Sequence, residues 1–294
     1  MKRQGSPLLL VDSGNILFGH LGKKRLQAED LLSATAIGEI YRDLGYDAMA
    51  VGPYDLANGV EFLHQLARHG IPWVSANLLT PEGEALLTPW VVRQRGPYRI
   101  GILALTAAES GPGYRIAPWQ EVLPRHLDTL FSRGADFLVL LSNLDQASNT
   151  VIAERYPQIN LIVSADPMAG NMVPRIHRNT LFSQSHSLGK YLGILHIKWT
   201  EVGLWQETIQ QRDPAVTQLL NAYRLAGERP GLTADEAARL RQQEGRLERV
   251  ETTTSPSGGT FTFTFLPLSA HVADDVLVQR QIEQVRGEIV RQDR

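Results

Sequence analysis

The chain has 294 residues, of which 43% are apolar and 20% charged, with a formal net charge of −2 and a pI near 6.5. These values are typical of a soluble globular protein long enough for one large α/β domain, and they argue against nucleic acid or an anionic membrane as partner. The absence of cysteine excludes disulfides, thiolate metal sites and cysteine nucleophiles. The apolar run Leu8–Val11 is shorter than the core of a signal peptide, and no run reaches the roughly 20 residues of a membrane span.

Short apolar runs alternate with segments of helical periodicity over about the first 200 residues, which is typical of βα units. The predicted elements are, in chain order, a strand in PLLLVDSG, a helix in AEDLLSATAIGEIYRDLG that ends at Gly45, a strand in YDAMAVG, a helix in VEFLHQLARHG, a strand in IPWVSANL, a hairpin in PWVVRQRGPYRIGILALT, a helix in WQEVLPRHLDTLFSRG, a strand in ADFLVLLSN, a helix in QASNTVIAERYP, a strand in INLIVSAD and two strands in NTLFSQSHSLGKYLGILHIKWT.

The pattern changes after Glu207, where helical and hairpin signals replace the βα alternation. A capping box at Thr233 and Glu236 begins a charged helix, and a hairpin is predicted to turn at SPSGG. In the TFTFTF strand the phenylalanines are expected to share one face. The segment DDVLVQRQIEQVRGEIV predicts a last amphipathic helix. We therefore predict a domain over residues 1–225 and a helical and hairpin extension over residues 226–294 that packs on it.

Seven segments resemble, in order, the metallophosphoesterase domain of the 5′-nucleotidase and UDP-sugar hydrolase family, which is calcineurin-like. LLLVDSGNILFG resembles the family's strand and GDxxxG loop, DAMAVGPYDLANGVEFL its GNHEFDxG loop, ADFLVLLSNLD its SH loop, and INLIVSADPM its GHxH loop; the other segments are IPWVSANL, RIGILALT and TLFSQSHSLGKYLGILHI. The resemblance covers roughly residues 7–225. It implies an α/β fold, an α-β-β-α sandwich of two mixed sheets flanked by helices, here without the usual first strand and with a C-terminal helix-hairpin-helix extension.

The family's chemistry uses two divalent metals held by Asp, Asn and His in these loops. The resemblance places the family's bridging Asp at Asn15, and the Asn and His of its GNH loop at Pro53 and Tyr54; Asp55 belongs to the same loop. None of these three ligand positions keeps the residue type that the family uses.

The remaining ligand positions differ from the family in the same way. The resemblance places the histidine of the SH loop at Asn143 and the two histidines of the GHxH loop at Asp166 and Met168. Two dications about 3.5 Å apart repel each other by about 19 kcal/mol at an effective dielectric constant of 20, so anionic ligands have to offset that repulsion. Asp166 is the only carboxylate at the matched ligand positions, and a two-metal centre of the family type is not expected.

Two interpretations of the remaining polar residues stay open. Asp and Asn at strand ends often cap helices and turns, which would account for Asp12, Asp55, Asp145 and Asp166. Alternatively, a rewired site could bind a divalent metal such as Mn, Zn or Mg through Asp12, Asn15, Asn143 and Asp166, with His20 or His186. Ser13 and Ser164 lie outside any GxSxG elbow, so a serine nucleophile is not expected.

The resemblance and the changed ligands together predict a protein that keeps the fold and has lost the dimetal centre, with no cofactor: a non-catalytic binding or structural module. The alternative is a metal-dependent phosphoester hydrolase whose site is rewired, or completed by residues outside this chain. A small anionic or nucleotide-like ligand is the expected partner, and a protein partner or a homodimer is a further possibility. The resemblance implies a periplasmic or otherwise extracytoplasmic setting.

Overall fold

A computed structural model of the chain describes residues 7–19, 26–166, 169–186, 189–206, 258–269 and 272–292. Its strands are β1 (Val11–Asp12), β2 (Ala48–Ala50), β3 (Trp73–Val74), β4 (Leu78–Leu79), β5 (Trp90–Arg95), β6 (Tyr98–Leu105), β7 (Arg115–Ile116), β8 (Phe137–Ser142), β9 (Leu161–Ser164), β10 (Met172–His177), β11 (Thr180–Gln184), β12 (Tyr191–Lys198) and β13 (Thr260–Pro267). The helices are α1 (Ala28–Leu44), α2 (Gly59–Arg68), α3 (Trp119–Ser132), α4 (Gln146–Arg155) and α5 (Val276–Gln292), with a 3₁₀ turn at Pro53–Leu56.

Two sheets form the centre of the molecule. The first is parallel, in the order β1-β2-β3, and the second is mixed, in the order β10-β11-β9-β8-β6-β5. In the second sheet β11, β9, β8 and β6 run parallel, whereas β10 and β5 lie antiparallel at the two edges. Because the carboxyl ends of parallel strands meet at one edge of a sheet, the loops after β1 and β2 share one edge and those after β8 and β9 share another. A hydrogen bond from the Asn143 side chain, after β8, to the Ser13 carbonyl, after β1, brings these two edges together.

The molecule has four layers, in the order helices, sheet, sheet, helices, and apolar side chains fill the three contacts between them. The layer between the two sheets includes Ala48, Ala50, Val74, Ile102, Ala104, Val139, Leu141 and Leu181. The outer face of the first sheet packs with α1 and α2, and the outer face of the second packs with α3 and α4; the side chains at these two contacts include Met49, Leu63, Leu66, Leu103, Leu123, Leu127 and Ile152. This arrangement confirms the predicted α/β sandwich with sheets flanked by helices.

The last described strand joins an element far back in the chain. β13 pairs with β12 in antiparallel register from Lys198 opposite Thr260 to Tyr191 opposite Pro267. As predicted, the phenylalanines of β13 are half-buried while Thr262 and Thr264 are exposed. Helix α5 packs against α1, where the Gln281 side-chain amide donates to the Asp43 carboxylate at 2.9 Å.

Some predictions fall outside the described residues. The boundary between residues 225 and 226, the helix that begins near Thr233 and the turn at SPSGG all lie within residues 207–257, so the two-domain division stays a prediction. Within the described residues, β7 and β10 were not predicted from the sequence. No helix in the described part of the chain combines the length and the apolar character that crossing a bilayer requires.

Candidate functional site

The carboxylate of Asp55 holds together the loops that follow β1 and β2. It is fully buried, and its two oxygens each accept two backbone N–H groups: Oδ1 from Ile16 and Leu17, both at 2.9 Å, and Oδ2 from Asn15 at 2.7 Å and Gly52 at 2.8 Å. Burial raises the pKa of Asp55, and the four N–H groups oppose that rise. Since no oxygen is left unengaged, Asp55 acts as a structural anchor.

Asn15 is committed to the same pair of loops. Its backbone has a φ of 65°, in the left-handed region, and its side-chain Oδ1 accepts the Tyr54 N–H at 3.0 Å. The loops approach so closely that a Cβ on Gly52 would lie 2.2 Å from this Oδ1. Pro53 begins the 3₁₀ turn at a position that needs no N–H donor. The loop geometry is therefore maintained by hydrogen bonds within the chain.

Asn143 and Ser13 join the ends of the two sheets. The Asn143 side-chain amide donates to the Ser13 carbonyl, and the Ser13 hydroxyl donates to the Val163 carbonyl at 2.7 Å. Two buried oxygen atoms here, Asn143 Oδ1 and Ser164 Oγ, have no hydrogen-bond partner among the described residues. Because buried polar atoms are nearly always paired, these two atoms mark a place where an additional group is expected.

Asp12 adds a partly buried carboxylate at the end of β1. Its Oδ1 accepts the Gly14 N–H at 2.8 Å. Burial raises the pKa of Asp12 to about 7 against the lowering effect of the Gly14 N–H, and the nearby charge of Asp55 adds to the rise. The rings of Tyr41 and Tyr46, stacked with their centroids 4.6 Å apart, lie near Asp12. Burial raises the pKa of Tyr46 to about 12, and the negative charge of Asp12 contributes to this rise.

Asp166 follows β9 and is held mainly through its backbone. Its N–H donates to Gln184 Oε1 at 3.1 Å, and its carbonyl accepts from Gln184 Nε2 at 2.9 Å. The N–H of His186 donates to Asn171 Oδ1 at 2.7 Å. Met168 and His20, the other two predicted positions near these loops, lie outside the described residues.

These loops border a cleft of about 1750 Å³. Of the predicted positions, Asp12, Asn15, Tyr54, Asp166 and His186 line this cleft, whereas Pro53, Asp55 and Asn143 do not. The walls away from the loops are mainly apolar and come from β9, β12, β13 and the segment that leads into β1; their apolar side chains include Leu9, Val11, Val163, Leu195, Ile197 and Phe261. His196, Lys198 and three threonines of β13 line the same walls. The site therefore has a polar head at the strand ends and a mainly apolar body.

Three residues that contribute to the site were not recognised from the sequence. Ser13 and Ser164 were considered only as nucleophiles, and Gln184 was not considered at all, although each contacts or lines the cleft. The signal for Ser13 and Ser164 was present in the sequence, because both lie directly at predicted strand ends. The metal hypothesis has little support from geometry: no group of three or more His, Asp or Glu side chains within the described ranges is placed to hold a metal ion.

No family model matches the chain. Among curated proteins, it is 23% identical over 235 residues to the snake venom 5′-nucleotidase of Gloydius brevicauda, covering 69% of this chain and 39% of that protein. It is 24% identical over 234 residues to the 5′-nucleotidase of Bos taurus, covering 69% and 40%. Over a shorter stretch of 110 residues it is 30% identical to Protein UshA of Salmonella pullorum, covering 37% and 19%. The chain thus spans about two fifths of the length of the first two relatives.

Solved structures show the same fold at low sequence identity. A 5′-nucleotidase precursor of Thermus thermophilus has a TM-score of 0.65 and 16% identity, and covers 98% of this chain and 51% of that one. The sulfate thiohydrolase SoxB of Thermus thermophilus has a TM-score of 0.64 and 18% identity, covering 95% and 42%. The calcineurin-like phosphoesterase YfkN of Bacillus subtilis has a TM-score of 0.59 and 18% identity, covering 95% and 83%. These likenesses confirm the expected fold.

Proposed function

We propose that this chain, which has the fold of the calcineurin-like metallophosphoesterases and resembles 5′-nucleotidases in sequence, is a non-catalytic ligand-binding module. One observation carries the proposal: oxygen atoms in the loops that correspond to the family's metal-binding loops are occupied by the chain itself. Asp55 accepts four backbone N–H groups and Asn15 Oδ1 accepts a fifth. An oxygen that already accepts strong hydrogen bonds from a buried loop is poorly available to a metal ion.

The donor set does not fit a pair of divalent ions. At the matched ligand positions, Asn15 and Asn143 are neutral amides, Pro53 has no side-chain donor atom and Tyr54 is a phenol. The negative charge needed to hold two dications together is missing, because Asp166 is the only matched carboxylate in the described part of the chain. We therefore assign no step of a reaction to a metal ion.

The cleft supports a binding role. Small-molecule sites are usually concave, largely apolar and provided with a few polar groups, with volumes of about 300–1,000 Å³. The cleft, at about 1750 Å³, is larger than such sites usually are, but it shares with them the combination of mainly apolar walls and a few polar groups, here at the strand ends. The names of the curated relatives make a nucleotide-like molecule the first ligand to test.

Metal content and turnover test the non-catalytic assignment. The protein is purified in the presence of Mn and Zn, its metal content is measured, and it is incubated with an aryl phosphate and with a 5′-nucleotide. We expect metal far below one equivalent and no turnover above that of a blank purification. Near-stoichiometric metal together with turnover would refute the assignment.

A rewired hydrolase is the second candidate, because Asp12, Asn15 and Asp166 line the same cleft. In that case Asp12, Asn15, Asn143 and Asp166 would hold a divalent ion such as Mn, Zn or Mg. Asp166→Ala and Tyr54→Ala would then abolish turnover, whereas activity that survives both substitutions would belong to a contaminating phosphatase.

A further inference from the structure

The carboxylate of Asp12 has no counter-charge among the residues that the structure describes. It lines the head of the cleft, and the backbone N–H of Gly14 is its only hydrogen-bond donor within those residues. Every ion pair found among the described residues involves an acid other than Asp12. Keeping a carboxylate partly buried without a cation is costly, so this position favours a positively charged ligand.

A second polar group without a partner lines the same cleft. Ser164 lines the cleft with only 5% of its surface exposed, and its hydroxyl oxygen has no partner in the described ranges. Ser164 lies near Asp12 in the fold, because the hydroxyl of Ser13, the residue after Asp12, donates to the carbonyl of Val163, the residue before Ser164, at 2.7 Å. A group that carries several N–H donors and a positive charge satisfies such a set, because an ammonium has three donors and no acceptor.

The same electrostatics disfavour an anion at the head. A phosphate there would meet the charges of Asp12 and of the neighbouring Asp55, with Asp166 on the same rim. The basic side chains among the described residues of the lining are Arg95, Lys198 and two histidines, and Arg95 is already paired with Asp47.

The body of the cleft determines the rest of the ligand. Beyond the head, its walls are mainly apolar side chains that are half-buried, such as Leu9, Val163, Leu195 and Ile197. Covering such surface releases free energy in proportion to the apolar area removed from water. A bare ammonium ion would leave these walls exposed, whereas a ligand with an apolar chain would cover them.

We propose that the cleft binds a protonated primary amine carried on an apolar chain, with the ammonium between Asp12 and Ser164 and the chain along the apolar walls. The proposal rests on the proposed function, in that it assumes a ligand-binding cleft, but it replaces the nucleotide-like ligand suggested by the names of the curated relatives with a ligand of the opposite charge.

Calorimetric titration with simple amines tests the proposal near pH 8, where an alkylamine is protonated and Asp12 is ionised. The probes are butylamine, hexylamine and octylamine. We expect the affinity to rise by about fourfold for each added methylene, as burial of apolar chain predicts. Hexan-1-ol, which lacks the charge, and hexyltrimethylammonium, which lacks N–H donors, are expected to bind at least tenfold more weakly than hexylamine. Hexyl phosphate is expected not to bind.

Matched variants locate the site. Asp12→Asn should weaken hexylamine at least tenfold and Ser164→Ala severalfold, while Asp128→Asn, an exposed acid on α3 outside the cleft, should leave the affinity unchanged. Three results would each overturn the proposal: hexylamine binding no tighter than hexan-1-ol, an unchanged affinity in Asp12→Asn, or displacement of hexylamine by Mn²⁺ alone. These results are separate from a failure of the proposed non-catalytic function, which would appear as phosphoester turnover whether or not amines bind.

Discussion

At the scale of single residues, several carboxylates in and near the site accept hydrogen bonds from backbone N–H groups. Asp55 accepts four N–H groups, Asp12 accepts that of Gly14, and Asp145 caps α4 by accepting the Ser148 N–H at 2.7 Å. These contacts agree with the interpretation that strand-end acids serve turns and caps. Sequence reasoning could name the residue types that do this, but not how many donors would converge on one carboxylate.

Replacement of Asp55 tests its role as an anchor. In Asp55→Asn the new amide nitrogen confronts two backbone N–H groups, whichever way the side chain is turned, so two buried donors lose their acceptor. We expect the free energy of unfolding to fall by about 3 kcal/mol, measured by urea denaturation at neutral pH. Asp128→Asn removes an exposed charge and should change stability by less than about 0.5 kcal/mol. Equal effects of the two substitutions would contradict the anchor.

Asp12 gives the molecule a pH-dependent stability. Because its pKa in the folded chain, about 7, lies above its ordinary value of 3.8, the folded chain binds more protons than the unfolded chain between these values. The stability that neutral Asp12 contributes is complete below about pH 4 and is lost as the pH rises through 7.

Asp12→Asn stays neutral at every pH and should not show this loss. Without ligand, the variant is expected to be about 4 kcal/mol more stable than the parent near pH 8 and nearly equal to it near pH 4. Thermal unfolding at the two pH values measures the difference. A variant that is less stable near pH 8 would mean that Asp12 has a cationic partner in the folded chain.

At the scale of elements, one buried acid connects three segments that are distant in sequence. Asp47, just before β2, accepts the Leu10 N–H at 3.0 Å and forms ion pairs with Arg93 and Arg95 of β5. The arginines come from RQRGPYR, and the Arg95 guanidinium also donates to the Leu8 carbonyl at 2.5 Å. The sequence alone indicates an exposed basic hairpin turn here. The ion pair with Asp47 could not be predicted, because Asp47 lies 48 residues before Arg95 in the chain.

Asp47→Ala should therefore destabilise the fold more than loss of a surface pair does. Removing one partner of a largely buried pair leaves the arginines without their counter-ion, and we expect a loss of about 3 kcal/mol. Glu121→Ala breaks the exposed pair with Arg115 and is expected to cost less than about 1 kcal/mol. Denaturant titration of the two variants side by side makes the comparison, and similar losses would show that Asp47 is not a junction.

The elements that sequence reasoning missed have physical explanations. β10 contains Pro174 and is irregular where its register with β11 shifts, between Met172 and Arg175, so its pattern does not alternate cleanly. The hairpin of β5 and β6 was predicted correctly because its turn, at Gly96, is local. The pairing of β12 with β13 could not be predicted, since strand propensity does not specify a partner about 60 residues further on.

At the scale of the whole molecule, one apolar layer is shared by both sheets. Leu141 of β8 is fully buried in it, together with residues of β2 and β3. Because each sheet has its inner face covered by the other, we expect the described core to unfold in a single transition.

Leu141→Ala tests this shared layer. The substitution leaves a cavity between the sheets and should lower the free energy of unfolding by about 3 kcal/mol while keeping a single transition. Leu277→Ala in α5 removes the same atoms from a side chain that is 69% exposed, and should cost less than about 0.5 kcal/mol. Circular dichroism and tryptophan fluorescence should give the same midpoint for each variant, and two separate midpoints would mean that the sheets unfold independently.

The pairing of β12 with β13 also has a topological consequence. All eight residues of β13 are in register with β12, and the ring of Phe261 packs edge-on against Trp205 at 5.7 Å. A peptide bond broken between residues 206 and 258 would therefore yield two pieces that remain associated without a covalent link. Co-expressed as residues 1–206 and 207–294, the two pieces should co-elute on size exclusion, and Phe261→Asp should separate them.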